Sequence, residues 1–60
     1  MTDTATRITG HKADLSDTIV MIAFARDQEC DPKKRAHLST ALSKLEAAET
    51  LLDECLEVLS

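Results

Sequence analysis

Lys33-Lys34-Arg35 places three consecutive cations just after Pro32, where a helix is expected to begin. A helix start already carries free N–H groups and the positive end of the dipole, so cations there are out of place. One reading is an anion site, with the three side chains and the helix N–H groups facing a phosphate. The other is a solvated basic cluster, partly neutralised by Asp27, Glu29 and Asp31. His37 follows one turn later and joins the anion site if protonated. His11 stands beside Lys12 nearer the N-terminus. An isolated histidine of either kind is more often a surface residue than a catalyst.

Nothing else in the chain assembles reaction chemistry. No nucleophile, base and orienting acid share a recognisable motif. There is no glycine-rich phosphate loop. No group of residues has metal-ligand spacing, so neither a metal nor a cofactor is expected. The cysteines, Cys30 and Cys55, fall just before the second expected helix and near its far end. That puts them about 30 Å apart along the axis, too far for a zinc site or an intrachain disulfide. The expectation is a binding protein and not an enzyme.

The elements that position these residues are helical. Residues 19 to 25, Ile-Val-Met-Ile-Ala-Phe-Ala, form an unbroken apolar run whose side chains would surround a helix. Ser16 or Asp14 can cap that helix, and Leu15 can staple against Val20. The spacing predicts a first helix over 14–30, preceded by a polar, Thr-rich arm over 1–13 that is flexible unless pinned. Cys30-Asp31-Pro32 is the clearest boundary: Asp31 caps and Pro32 takes the first helical position. A second helix is predicted over 32–59.

In that second helix leucine falls at 38, 45, 52 and 59, a heptad repeat. Ala41, Ala48 and Cys55 are read as the intervening seam positions, Cys55 as a small core residue, with Leu42 and Leu56 widening the stripe. The short connection makes the fold class all-α, a single antiparallel two-helix hairpin spanning 1–60. The second helix then outruns the first by about ten residues, leaving 51–59 without an intrachain partner. This overhang and the apolar run together predict a helical-bundle homo-oligomer.

Composition agrees. A 60-residue chain buries only about 60% of its unfolded surface and is marginal alone. Two cysteines are too few for a disulfide scaffold, so oligomerisation is the expected staple. The net charge of −4 argues against coating double-stranded DNA. Residues 1–35 hold six basic and six acidic side chains, whereas residues 36–60 hold Lys44 against Glu46, Glu49, Asp53, Glu54 and Glu57. That acidic stretch reads as a solvated helix face. The apolar run is far too short to span a bilayer, and no signal peptide is evident. A cytoplasmic protein with both thiols reduced is expected.

The segment Arg7-Ile8-Thr9-Gly10-His11-Lys12-Ala13-Asp14-Leu15-Ser16 resembles the opening of small phage anti-CBASS proteins, which act as cyclic-oligonucleotide sponges. The match lies in Ile8, Gly10, Lys12, Leu15 and Ser16, and more loosely in Asp31, Arg35, Ala36, Leu42 and Leu45. It departs at His11, where the family typically has an aromatic Tyr, and in one extra residue between Lys12 and Leu15. Its first helix is also shorter, and its acidic, leucine-rich end is not a family trait. The resemblance implies a cyclic di- or trinucleotide held between subunits in a host cell's cytoplasm. His11 would stack on or hydrogen-bond a base, and Arg7, Thr9 and Lys12 would hold phosphates. The rival expectation is a helical-hairpin adaptor or inhibitor that binds a host protein, or RNA, through its leucine seam or acidic face.

Overall fold

A computed structural model describes residues 3–59. It contains two helices, α1 (Thr4–Gln28) and α2 (Pro32–Leu59), packed as a hairpin, with no strand among the described residues. The hairpin is a rod with principal extents of 46 × 17 × 11 Å.

The first helix begins ten residues earlier than expected. The arm over 1–13 is helical from Thr4 onward; Met1 and Thr2 lie outside the described residues. Asp3 is the cap, in place of Asp14 or Ser16: its side chain accepts the Thr6 N–H at 2.9 Å. The Arg7 N–H reaches the Asp3 carbonyl at 3.2 Å. Threonine often resists helix because its hydroxyl competes for backbone groups. Here the Thr9 and Thr18 hydroxyls donate to the carbonyls of Ala5 and Asp14, one turn back, and leave the ladder intact. The inward positions Ala5, Ile8, Lys12, Leu15, Ile19, Ile22 and Arg26 are all part-buried. Their alternating steps of three and four residues run through the former arm without a break, and this seam overrides the polar composition.

Gly10 sits inside that helix without a positive φ, and a Cβ built on it meets nothing within 4 Å. Gly10→Ala is therefore expected to stabilise the hairpin by roughly 0.5–1 kcal/mol, by restricting the unfolded chain. A lower melting temperature for the variant would show that residue 10 is not helical in solution.

α1 stops at Gln28, two residues before the expected end, with Glu29 as C-cap returning its N–H to the Arg26 carbonyl at 3.2 Å. The start of α2 is as expected. Asp31 Oδ1 accepts the Lys33 and Lys34 N–H groups at 2.9 and 3.5 Å, and its carbonyl accepts that of Arg35 at 2.9 Å.

The α2 seam differs in one set of positions. Leu38, Leu45 and Leu52 face inward, but the positions between them are Leu42, Glu49 and Leu56. Ala41 and Cys55 are exposed, so Cys55 is not a core residue, and Ala48 is only part-buried. The reason is direction: a four-residue step from each leucine leads to the side facing α1, whereas a three-residue step leads to the outer side.

Ser16 meets Glu49, and Lys12 meets Asp53. Four residues back along α1 thus correspond to four residues forward along α2, an antiparallel register. With 25 and 28 residues the helices are nearly equal in length, so the expected overhang at 51–59 is absent. Ile8 reaches that end.

Burial is nevertheless thin. Leu42, at 3% exposure, is the one buried hydrophobic side chain among the described residues. The apolar run divides: Ile19, Ile22 and Ala23 turn toward α2, while Val20, Met21 and Phe24 are exposed to 67–71%. Leu51, Val58 and Leu59 are also exposed. Among the described residues, no helix is long and apolar enough to cross a membrane.

Candidate functional site

The residues expected to bind a ligand fall into two groups at opposite ends of the rod. Arg7, Thr9, His11 and Lys12 lie on α1 near the open end. Lys33, Lys34, Arg35 and His37 are exposed on α2 beside the connection. Some 16 residues of α1 separate Lys12 from Gln28, which is about 24 Å of helix. Within one hairpin the groups do not meet.

Neither group converges by itself. Arg7 and His11, four residues apart, share one exposed face of α1. Thr9 points away from that face at helical spacing, and its hydroxyl is spent on Ala5. Lys12 turns into the seam and pairs with Asp53. At the other end, the carboxylate of Asp31 already occupies the Lys33 and Lys34 N–H groups that an anion would use. The cations themselves remain exposed to solvent.

The seam holds a polar cluster that sequence reasoning missed. The Ser16 hydroxyl donates to Glu49 Oε2 at 2.5 Å, and the Lys12–Asp53 pair lies one turn away. The hydrogen bond and charge of Asp53, with a smaller contribution from Glu49, raise the Lys12 ammonium above its ordinary 10.5, against the opposing effect of burial. The signal was available in the sequence: Glu49 sits four residues after Leu45 and three before Leu52, a seam position in a leucine heptad.

A raised lysine pKa has a definite sign. Its contribution to stability is complete below the unfolded-state value and fades as pH rises through the folded-state value. The Lys12 contribution should therefore be fully present and independent of pH near neutrality, and be lost in strongly alkaline solution, above about 10.5. Lys12→Met is expected to flatten that alkaline limb. Parallel melting curves for the variant and the parent at high pH would overturn the assignment.

The second feature is an open apolar groove of about 570 Å³ at the open end, lined by Ile8, Leu51, Glu54, Cys55, Val58 and Leu59. Glu54 is its one charged wall. Cys30 and Cys55 are both free and exposed. No group of three or more potential metal ligands occurs among the described residues.

Compared with known proteins, the chain matches no family model, no curated protein and no solved structure. The functional reading therefore rests on the residues themselves.

Proposed function

We propose that this chain is a non-enzymatic helical-hairpin binding protein that works as a homo-oligomer and engages its partner through surface the hairpin leaves uncovered. The observation that carries this reading is the imbalance of burial. Among the described residues one hydrophobic side chain is buried, while six large ones, Val20, Met21, Phe24, Leu51, Val58 and Leu59, are exposed. Burial returns about 25 cal/mol per Å² of apolar surface, so covering those side chains strongly favours association. The leucine seam is spent inside the hairpin, which leaves the outer faces of the helices for an adaptor or inhibitor to use.

A second reading, sequestration of a cyclic di- or trinucleotide, is favoured by a different observation. Arg7 and His11 share an exposed face, and Lys33, Lys34 and Arg35 form an exposed basic cluster at the other end. Neither group suffices within one chain, so the ligand would sit where two copies meet. Lys12 would contribute little, because Asp53 already holds it.

Two measurements separate the readings. Sedimentation at micromolar concentration is expected to show an oligomer, and a folded monomer would overturn the shared premise. Melting curves with a panel of cyclic nucleotides then decide the ligand. A ligand at 100 times its Kd stabilises by about 2.7 kcal/mol. A clear shift that is lost in Arg7→Ala establishes the sponge reading. No shift across the panel leaves the protein-binding reading.

A further inference from the structure

Each helix carries an exposed stripe on its outer edge, away from the seam. On α1 it is Thr6, Gly10, Ala13, Asp17, Val20 and Phe24, at steps of four, three, four, three and four residues. On α2 it is Thr40, Lys44, Ala47, Leu51, Cys55 and Val58, at steps of four, three, four, four and three. All of these residues are exposed. The two stripes grade in size in opposite directions along the rod. On α1 the small residues lie toward the open end, and Val20 and Phe24 lie toward the connection. On α2 the small and polar residues lie toward the connection, and Leu51, Cys55 and Val58 lie at the open end, where they line the groove.

We infer that the α1 stripe of a second copy, set level beside the first, packs on the α2 stripe. The inference rests on the homo-oligomeric reading above and specifies which surfaces meet. Within the hairpin, facing residues have numbers that total 65, as in Ser16–Glu49 and Lys12–Asp53. A level neighbour keeps that total. It sets Phe24 on Thr40, Val20 on Ala47, Ala13 on Leu51, Gly10 on Cys55 and Thr6 on Val58, each pair within two positions of the total. Large residues thus meet small ones, which lets facing layers interdigitate. Charge agrees. Asp17 is the one charge of the α1 stripe and falls one turn from Lys44, the one charge of the α2 stripe, on the same side of the contact. Among the described residues neither forms an ion pair within the hairpin. Glu54 borders the α2 stripe on the other side, level with Thr9 and Ala13. A slip of seven residues one way sets Val20 on Leu51 and Asp17 beside Glu54, and a slip the other way carries Val58 past the start of α1. An α1–α1 contact that sets Phe24 on Thr6 brings the two Asp17 carboxylates within one turn of each other with no cation in either stripe. An α2–α2 contact leaves Val20 and Phe24 uncovered. Because the two stripes differ, the contact is heterologous, and each copy offers both halves of it, so copies join into a ring or an open row.

Facing pairs make a sharp test. Residues 10 and 55 lie on the outer sides of two helices whose axes stand about 8–10 Å apart. A disulfide needs Cα atoms within about 7 Å, so this pair closes only between copies. Gly10→Cys is made with Cys30→Ser, which leaves Cys55 as its partner. A second protein carries Val20→Cys and Ala47→Cys with both native cysteines changed to serine. The controls hold residue 10 or residue 55 as the single cysteine. Each protein is checked for helicity by circular dichroism and for size by sedimentation in the reduced state, then oxidised under mild conditions. The expected result is a ladder of disulfide-linked multimers from each two-cysteine protein. Each control alone should stay uncross-linked, and the two controls mixed should give dimers and nothing larger. Cross-linking of the Cys55 control by itself would set α2 on α2 and overturn this inference. An oligomer that cross-links in neither two-cysteine protein would place the interface on other faces and overturn this inference alone. A folded monomer for the parent chain would overturn both this inference and the homo-oligomeric reading.

Discussion

Leu42→Ala is expected to abolish most of the cooperative thermal transition of this protein. Leu42 is the one buried hydrophobic residue among those described, at 3% exposure. It lies on α2 between Leu38 and Leu45, on the side that faces α1. Removing a buried leucine to Ala costs about 2–5 kcal/mol in transfer and cavity terms. Domains as a class have only about 5–15 kcal/mol to lose, and a 60-residue chain lies at the low end. Leu42→Asp should leave no folded population, because an unpaired charge in that position costs still more. Phe24→Ala is the contrasting case. Phe24 is 67% exposed in the hairpin, so its loss should be nearly neutral for a lone hairpin and destabilising where another chain covers it. The check is melting followed by circular dichroism at two protein concentrations. A Leu42→Ala protein that melts with the parent would mean that the stability resides elsewhere, in contacts between chains.

The all-helical hairpin and its connection were legible because their signals are local. Asp31 and Pro32 fix a cap and a first helical position with side-chain and ring geometry that no distant contact needs to support. The start of α1 was not legible from composition. Thr4, Thr6, Thr9 and Gly10 all weigh against helix when taken singly, and what overrides them is the seam pattern from Ala5 to Arg26. That pattern includes Lys12 and Arg26, whose charged ends hide their role as inward positions. A long basic side chain can lay its stem along the seam while its charge stays hydrated. The same blindness affected the α2 seam, where a line of small residues looked more core-like than one containing Glu49. The candidate ligand residues were legible as residues but not as a site. Whether Arg7, His11 and Lys33 converge depends on contacts between chains, and periodicity within one chain does not encode them.

Glu49 is the seam position of α2 at which a carboxylate stands among leucines. It occupies a seam position flanked by Leu45, Leu52 and Leu56, and it is part-buried, with the Ser16 hydroxyl donating to it at 2.5 Å. A hydrogen bond to a charged group contributes about 1.5–3 kcal/mol, yet partial burial of the carboxylate consumes much of that. A leucine side chain at the same point would bury apolar surface worth about 1.5–3 kcal/mol if fully covered, and about half of that here. Ser16→Ala combined with Glu49→Leu removes both partners together, so no polar group is orphaned. The double variant is expected to gain about 1 kcal/mol, a rise of about 4–8 °C in melting temperature for a chain of this size. Glu49→Ala alone should lose stability, because it removes the acceptor and fills nothing. The gain in the double variant carries a structural consequence. Once Glu49 is replaced in this way, the α2 seam is leucine at every inward position from 38 to 56, and a seven-residue slip against α1 would meet the same surface. A polar group at one seam position is a known device for specifying register. The double variant should therefore melt higher but show broadened or doubled amide resonances, while the parent shows one set. A lower melting temperature for the double variant would identify the Ser16–Glu49 contact as a net source of stability. A higher one with a single sharp set of resonances would assign the register to the Lys12–Asp53 pair instead.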